Sequence, residues 1–282
     1  MEIKKPFYKT GLIGWPIHYS LSSYIHTYWL KKYKIKGSYT LYPVAPEKLS
    51  SEIQNFIAQD FLGFNVTMPY KESIIKYLND LTPEAKYLQT VNVVMKDPQK
   101  GLIGDNTDGY GFVKYLEQKI PDWRKKIKSV LIFGAGGAAK AIIGTLIKED
   151  IKSIIIVARN KERTQKYFSE RYNILSVFAW EENLSFPSDI SLIVNATNLG
   201  MNGFQDFNLD YKMFNSDAIF YDLVYNPLQT NFLKKAKNQG YQIIDGLGML
   251  MYQAAPAFEK WYGIYPSIDD KLQKFITQKA IT

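Results

Sequence analysis

Short apolar runs alternate with longer amphipathic stretches along the chain, and this alternation predicts strands and helices in turn. In the second half, residues 130–133, 153–157, 191–194, 217–223 and 241–244 are largely apolar. Continuous apolar runs are typical of parallel strands that are covered on both faces. Because small or polar residues and then a helical pattern follow most of these runs, the second half predicts a doubly wound parallel sheet.

The N-terminal part of the chain gives a second set of elements. Strands are predicted at 9–13, 38–44, 61–66, 91–95 and 101–104, and helices at 24–34 and 46–58. The last two strands are joined by a Lys-Asp-Pro-Gln-Lys turn, which predicts a strand pair. This part of the chain therefore predicts a further α/β region.

A glycine-rich turn follows the strand predicted at 129–133. Gly134, Gly136 and Ala139 fit G-x-G-x-x-G/A, and residues 138–147 continue as a helix. The first glycine makes the tight turn, the second lets a pyrophosphate approach the backbone, and the small third residue lets the helix pack on its strand. The helix N-terminus supplies free N–H groups for the phosphates. The turn predicts a dinucleotide site, and a plain strand-to-helix turn is the alternative.

The residues after the next strand indicate which dinucleotide binds. An NAD-binding unit places Asp or Glu about 20 residues after the glycines, where it binds the ribose hydroxyls. This chain instead has Arg159, with Asn160 and Arg163 after it and no carboxylate at the strand end. A guanidinium can stack on adenine and bind a 2′-phosphate through paired hydrogen bonds. We therefore predict NADP(H) over NAD(H), and the alternative is a solvated basic start to a helix.

Composition excludes several kinds of chemistry. The length of 282 residues suggests about two domains. The chain has no cysteine, which excludes disulfides, thiolate zinc sites and cysteine nucleophiles. It has two histidines, His18 and His26, and we predict no metal site. No apolar run reaches the roughly 18 residues that span a bilayer, and the first ten residues lack the apolar core of a signal peptide, so we predict a cytoplasmic protein.

The formal net charge of +8 is compatible with nucleic acid, acidic lipid or a small anionic substrate. The lysines are scattered, with local clusters at 31–36 and 124–128, and neither cluster carries a recognisable nucleic-acid motif. We therefore interpret the charge as a solvated surface that would also favour NADP and a carboxylate substrate.

Two serines follow the first predicted strand. Ser20 and Ser22 flank one residue on a loop, and loops at the carboxyl ends of parallel strands are where open α/β sheets bind ligands. Two hydroxyls placed there could hold a carboxylate. Serine is also a favoured helix N-cap, and the spacing alone favours the cap.

Lys71 and Asp108 are two further candidates. Lys71 comes just after the strand at 61–66, and Pro69 predicts the first turn of a new helix there. The positive end of a helix repels an ammonium and would lower its pKa, preparing it for proton transfer; a surface lysine is the commoner case. Asp108 lies where the first domain passes into the second, and its carboxylate is either a helix cap or a catalytic partner.

Several motifs together resemble the shikimate dehydrogenase family, and they occur in the family's order over nearly the whole chain. They are GWPIHYSLS (14–22), NVTMPYK (65–71), VN (91–92), GDNTDG (104–109), GAGGAAKA (134–141), NATNLGM (195–201), DLVYNP (222–227) and DGLGMLMYQAAPAFEKW (245–261). Each motif alone is weak, whereas the ordered set is very specific.

The resemblance implies the family's fold, which is two α/β domains around a cleft: an N-terminal mixed-sheet substrate domain and a Rossmann-type doubly wound NADP domain. It implies a substrate domain at 1–107, completed by 246–282, and an NADP domain at 108–245. It also implies the family's reaction, the reversible NADP-dependent reduction of 3-dehydroshikimate to shikimate on the route to chorismate and the aromatic amino acids.

Carried over residue by residue, the resemblance implies three sets of site residues. The catalytic pair is Lys71 and Asp108. The substrate-binding residues are Ser20, Ser22, Thr67, Asn92, Tyr225 and Gln253, so at least one serine is expected to bind the carboxylate. The cofactor-binding residues are Gly134, Ala135, Gly136, Gly137, Ala138, Arg159, Asn160, Arg163, Leu223 and Gly246.

The sequence departs from the family pattern at a few positions outside the catalytic pair. Tyr19 and Ser23 stand where the family usually has His and Pro, and Asn160 ends a motif that the family writes N-R-T. Three alternatives stay open: a paralogue that also oxidises quinate or uses NAD(H), a non-catalytic NADP- or metabolite-binding regulator, and a nucleic-acid binder. We predict a small-molecule substrate, no nucleic-acid or membrane partner, and a homodimer as the candidate assembly.

Overall fold

The computed structural model describes residues 6–170, 172, 175–180 and 186–281. The chain divides into two compact units, one built from Met1–Gly111 with Leu250–Lys279 and the other mainly from Phe112–Met249. The domain boundaries after residues 107 and 245 stay a prediction.

The strands in the described part of the chain are numbered in chain order. They are β1 (Tyr8–Gly14), β2 (Gly37–Pro43), β3 (Gly63–Val66), β4 (Asp80–Leu81), β5 (Val93–Asp97), β6 (Gly101–Asp105), β7 (Ser129–Phe133), β8 (Ser153–Ala158), β9 (Leu175–Ala179), β10 (Leu192–Asn195), β11 (Ile219–Asp222) and β12 (Gln242–Ile244).

The α-helices of the same residues follow the same numbering. They are α1 (Ser22–Lys32), α2 (Leu49–Ala58), α3 (Pro83–Leu88), α4 (Asp108–Lys119), α5 (Trp123–Lys126), α6 (Gly137–Lys148), α7 (Lys161–Ser169), α8 (Asn231–Asn238), α9 (Leu247–Tyr262) and α10 (Asp270–Ile281). Short 3₁₀ helices occur at Pro46–Lys48, Ser73–Tyr77 and Tyr211–Met213. Among the described residues, none of these helices combines the length and apolar character that a bilayer crossing requires.

The first unit contains a six-stranded sheet in the order β2-β1-β3-β5-β6-β4. β1 pairs in parallel with β2 and β3, whereas β5 runs antiparallel to β3 and to β6. The predicted mixed sheet and the predicted strand pair are therefore confirmed. Because β1 and β3 are parallel, the loops that follow them, which carry Ser20 and Lys71, leave the sheet at the same edge.

Apolar residues cover both faces of this sheet, because successive strand residues point to opposite sides. Ile13 of β1 belongs to one buried cluster with Ile53 and Phe56 of α2. Leu12, the preceding residue, belongs to another with Trp261 of α9. The faces are thus used for packing, and the loops at the strand ends are left for chemistry.

The second unit contains a six-stranded sheet in the order β12-β11-β10-β7-β8-β9. Every pairing in it is parallel, which confirms the predicted doubly wound sheet. All residues of β7, β10 and β11 are buried, as their continuous apolar sequences predict. The strand order reverses direction between β7 and β10, and such switch points are where ligands bind in open α/β sheets.

Candidate active site

Lys71 and Asp108 form an ion pair in the first unit. The Nζ atom of Lys71 lies 2.6 Å from Oδ2 of Asp108, and their side chains are 15% and 5% exposed. Lys71 follows β3, and Asp108 is the first residue of α4. Since little water screens the pair, its attraction is stronger than that of a surface ion pair. The ammonium keeps enough exposure to reach a ligand while its counter-ion stays buried.

Asn92 lies at the centre of the hydrogen bonds around this pair. Its Nδ2 group lies 2.9 Å from Asp108 Oδ1, 3.0 Å from Thr107 Oγ1 and 3.1 Å from Gln253 Oε1. Its Oδ1 accepts the Thr107 backbone N–H at 2.8 Å. An amide NH₂ has two protons, so three acceptors share two donors. At least one acceptor therefore has capacity left for a ligand hydroxyl.

The helix-cap alternative for Asp108 is wrong. Its two carboxylate oxygens bind Lys71 and Asn92, and its own backbone N–H donates to Asn106 Oδ1 at 2.9 Å. Asn106 is itself fixed, because its Nδ2 donates to the Thr90 carbonyl at 3.0 Å. The carboxylate of Asp108 thus lies at the positive end of the α4 dipole, which attracts negative charge, without serving as the cap.

The helix predicted to open at Pro69 is also wrong. Residues 68–69 and 71–72 form turns, and the short 3₁₀ helix Ser73–Tyr77 follows. The Lys71 carbonyl accepts the Val91 N–H at 2.7 Å, so it is not available to a continuing helix. No α-helix beginning at Pro69 therefore acts on the Lys71 ammonium, which instead faces the Asp108 carboxylate at the start of α4.

Ser20 and Ser22 form a buried hydroxyl pair rather than a helix cap. Helix α1 begins at Ser22, its N-cap position is Leu21, and no side chain makes a cap hydrogen bond there. Ser20 Oγ donates to Ser22 Oγ at 3.2 Å and accepts the Ser22 N–H at 3.3 Å. The cap was the interpretation that the sequence spacing favoured, because spacing does not show the residue at which α1 begins. Hydroxyl protons rotate, so both can turn toward a carboxylate.

The remaining predicted substrate-binding residues lie in different places. Thr67 is half-buried in the turn after β3, where its N–H donates to the Ile13 carbonyl at 2.9 Å. Tyr225 is half-buried and belongs to the second unit. Hydrogen bonds therefore join four of the predicted residues into one cluster in the first unit: Lys71, Asn92, Asp108 and Gln253.

Sequence reasoning missed two buried polar side chains that support this cluster. Asn65 donates from Nδ2 to the Asn92 carbonyl at 3.0 Å and accepts the Tyr39 hydroxyl at 2.7 Å. Thr107 donates from Oγ1 to the Gln253 carbonyl at 2.9 Å. A signal was available for Asn65, because an amide within the apolar run at 61–66 must find hydrogen-bond partners when that strand is buried.

The glycine turn of the second unit has the shape that a dinucleotide phosphate requires. Gly134 has φ +109°, and a Cβ there would lie 2.8 Å from the Ala196 carbonyl oxygen. A Cβ on Gly136 would meet nothing within 4 Å, so the space in front of this turn is open. Gly136 is the N-cap of α6, and no side chain makes a cap hydrogen bond there. The first N–H groups of α6 can therefore bind an anion.

The basic residues after β8 surround the start of α7. Arg159, Asn160 and Arg163 are all exposed. Asn160 is the N-cap of α7, and its Oδ1 accepts the Arg163 N–H at 2.8 Å. The side-chain oxygen of Asn160 thus has a structural partner, and its amide protons remain for a ligand. This arrangement presents two guanidinium groups to solvent near one helix start.

The last predicted cofactor residues meet at the end of β11. A Cβ on Gly246 would lie 2.2 Å from the Leu223 carbonyl oxygen and 2.9 Å from that of Val224. Only glycine therefore fits at 246 without moving the backbone of the segment after β11.

An all-parallel sheet with a glycine turn at its switch point places the second unit in the class of dinucleotide-binding Rossmann domains. The sequence model of the shikimate dehydrogenase substrate-binding domain matches residues 12–94 of the first unit. Over 266 residues the chain is 35% identical to a shikimate dehydrogenase (NADP(+)) of Paracoccus denitrificans, covering 94% of each chain. A Ruegeria relative of the same name is 37% identical, over 92% of this chain and 94% of its own. The chain therefore belongs to the shikimate dehydrogenase family.

Solved structures of the family are similar to this chain over nearly its full length. A shikimate dehydrogenase in complex with NADP+ superimposes with a TM-score of 0.87 at 34% identity, covering 98% of this chain and 96% of its own. The enzyme of Thermus thermophilus, solved with NADP(H) and shikimate, gives a TM-score of 0.81 at 29% identity, with coverages of 97% and 99%.

Proposed function

We propose that this chain catalyses the reversible NADP-dependent reduction of 3-dehydroshikimate to shikimate, a step of the shikimate pathway. The observation that carries the proposal is the Lys71–Asp108 ion pair, with 2.6 Å between Nζ and Oδ2, set in a buried polar cluster of a chain of this family. Membership alone would also suit a regulator that only binds NADP, whereas a binder has no need of a largely buried amine and acid.

Reduction of the ketone needs a hydride on carbon, a proton on oxygen and stabilisation of the alkoxide charge that develops between them. NADPH, when bound, supplies the hydride. The Lys71 ammonium donates the proton to the former carbonyl oxygen, and its positive charge stabilises the alkoxide as it forms. The neutral amine that remains takes up a proton from solvent, which its 15% side-chain exposure permits.

Asp108 orients this ammonium and binds a neighbouring ring hydroxyl. Its Oδ2 accepts from Lys71 at 2.6 Å, and Asn92 holds its Oδ1 at 2.9 Å, so the carboxylate cannot rotate without losing one of the two bonds. A carboxylate has about four lone-pair sites, which leaves capacity for a substrate hydroxyl. Fixed geometry of this kind removes reorganisation at the moment of reaction.

Polar groups would also select the substrate. The buried hydroxyl pair of Ser20 and Ser22 suits the ring carboxylate, because it presents two short donors. Sites that hydrogen-bond a hydroxyl reject analogues without it more strongly than apolar pockets reject a methylene. We assign contacts with the ring hydroxyls to Thr67, Asn92, Tyr225 and Gln253.

The second unit would bind NADP by its phosphates. Residues 134–138 offer the open glycine turn and the N-terminus of α6 to the pyrophosphate. Arg159 and Arg163, with the Asn160 amide, would bind the 2′-phosphate and the adenosine. Leu223 and Gly246 would border the nicotinamide.

A four-way assay tests the proposal directly. The purified chain is incubated with shikimate or quinate, each with NADP+ or NAD+, and the absorbance of the reduced nicotinamide is followed. We expect shikimate with NADP+ to be the fastest combination. Faster oxidation of quinate would identify the paralogue, equal rates with NAD+ would remove the role of Arg159, and inertness toward shikimate with both cofactors would refute the activity.

A matched variant tests how the substrate is held. Ser20→Ala should raise the KM for shikimate with a smaller change in kcat, because it removes a contact that ground state and transition state share. A defect confined to kcat would contradict carboxylate binding by this serine.

A cytoplasmic location and a homodimer stay predictions.

A further inference from the structure

Asp222 is a buried carboxyl group to which the proposed chemistry assigns no role. It ends β11 and is fully buried. Its Oδ1 accepts from the Val224 N–H at 2.9 Å and from Asn195 Nδ2 at 2.9 Å, and its Oδ2 accepts from Thr230 Oγ1 at 2.5 Å. Three hydrogen bonds converge on one buried side chain, and its removal would leave three donors without this partner, which is costly for buried groups.

These bonds connect three separate segments of the second unit. Asn195 ends β10 and also donates to the Leu199 carbonyl at 3.0 Å, while its Oδ1 accepts the Thr197 N–H at 3.0 Å. Val224 belongs to the segment after β11. Thr230 is the N-cap of α8, where its Oγ1 accepts the Leu233 N–H. Asp222 therefore links the loop after β10, the segment after β11 and the start of α8.

The segment after β10 lies beside the predicted cofactor turn, and the segment after β11 lies beside Gly246. The Ala196 carbonyl oxygen lies 2.8 Å from the position that a Cβ on Gly134 would take. The Leu223 and Val224 carbonyl oxygens lie against Gly246 in the same way. A shift of the first segment would therefore change the backbone beside the glycine turn, and a shift of the second would change the backbone assigned to the nicotinamide.

Neutral donors surround this carboxyl group. Within the described ranges Asp222 forms no ion pair, unlike Asp108, and burial raises its pKa to about 7. An asparagine could keep all three bonds, because its oxygen would accept from Val224 and Asn195 and its NH₂ could donate to the Thr230 hydroxyl. The shape of the group, rather than its charge, is what the surroundings require.

We propose that Asp222 is a positioning residue, which fixes the segments 195–199 and 223–224 for the pyrophosphate and nicotinamide part of the cofactor. The inference rests on the proposed function only in taking NADP as the dinucleotide. The hydrogen bonds of Asp222 go to Asn195, Val224 and Thr230 and not to the residues assigned to the 2′-phosphate, so its effect should spare the 2′-phosphate half of the cofactor.

The test compares Asp222→Ala and Asp222→Asn with wild type and with Asp217→Ala, an exposed aspartate of the same unit that serves as control. Calorimetry measures the dissociation constants of NADP+ and of 2′,5′-ADP, which carries the 2′-phosphate half alone. Hydrogen exchange is followed at residues 195–199 and 223–224 and, for comparison, in β7. The kcat and KM values for shikimate oxidation are measured on the same samples.

For Asp222→Ala we expect NADP+ binding about tenfold weaker and kcat about 10²-fold lower, the loss typical of a small misplacement of reacting groups. Binding of 2′,5′-ADP should stay within about twofold, the two loop segments should exchange faster, and β7 should not change. Asp222→Asn and Asp217→Ala should match wild type in all four measurements.

Three results would overturn the proposal. They are equal weakening of both nucleotides by Asp222→Ala, no change in loop exchange, or an Asp222→Asn protein as impaired as Asp222→Ala. If wild type does not oxidise shikimate, the proposed activity fails, yet nucleotide binding and exchange still decide the role of Asp222. Wild type that binds neither nucleotide overturns both.

Discussion

Asp108 in the first unit and Asp222 in the second are both buried aspartates, with exposures of 4% and 0%. Asp108 faces the Lys71 ammonium at 2.6 Å, with one amide donor on its other oxygen. In the described part of the chain, Asp222 accepts hydrogen bonds from a hydroxyl, a backbone N–H and a side-chain amide, and the nearby Asp245 carboxylate also acts against its charge. Similar burial therefore accompanies two different electrostatic solutions.

The difference teaches what each carboxyl group can do. A carboxylate beside a cation keeps both charges in a place with little water, where an ammonium can donate a proton and attract developing negative charge. A carboxyl group among neutral donors connects several segments through hydrogen bonds, and burial disfavours its charged form. The first arrangement suits reaction chemistry and the second suits fixing the backbone.

The largest effect is expected at Lys71. Lys71→Ala should lower kcat about 10²–10⁴-fold, with a smaller change in KM, because it removes the proton donor and leaves the Asp108 carboxylate without its cation. Steady-state kinetics of shikimate oxidation measures this. Lys76→Ala is the matched control, since Lys76 is an exposed lysine on the short 3₁₀ helix that follows. If Lys71→Ala kept a turnover near that of wild type, the assignment of reaction chemistry to the Lys71–Asp108 pair would be contradicted.

Much of the fold was predictable because it depends on local pattern. The buried strands β7, β8, β10 and β11 follow from short apolar runs, and the glycine motif predicts the turn after β7, so the doubly wound sheet was predictable. β9 (Leu175–Ala179) was not predicted, because its short run includes a serine and has no turn motif beside it.

The site was less predictable, because its contacts join distant residues. Asn92 bonds Gln253 across 161 positions of sequence, and no local pattern contains that pairing. The helix predicted at Pro69 failed for a related reason, since Val91 takes the carbonyl of Lys71. Lys71 and Asp108 were identified through motifs that the family shares, whereas spacing alone left each with a structural alternative.

The same substitution should act differently on the two aspartates. At about pH 5, Asp108→Asn should lower the free energy of unfolding by about 3 kcal/mol, because a largely buried ammonium loses its partner. Asp222→Asn should change it by less than about 1 kcal/mol, because its three hydrogen bonds can persist. Urea unfolding of both variants and wild type measures the difference. Equal losses at the two positions would contradict the comparison. They would show that replacing the carboxyl group costs as much stability among neutral donors as it does beside an ammonium.

A further effect, on the order of 3 kcal/mol between about pH 5 and pH 8, is expected in the difference in stability between Asp222→Asn and wild type. Burial raises the pKa of folded Asp222 from 3.8 to about 7. Between these values the folded state holds a proton that the unfolded state has released, so the stability of wild type falls as pH rises through this window. The asparagine cannot ionise, and the variant should become the more stable protein by about pH 8.

The measurement must use the free energy of unfolding of Asp222→Asn minus that of wild type. His26 also makes stability depend on pH, and it does so in the opposite direction to Asp222. Burial lowers the pKa of His26 to about 3 from 6.5, so this residue makes stability rise with pH between those values. The two slopes oppose each other in wild type from about pH 4 to 6.5, whereas His26 is common to both proteins and cancels in their difference. A difference that stays flat with pH would mean that three neutral donors suffice to keep Asp222 ionised, and the contrast with Asp108 would then be one of function without a contrast in charge.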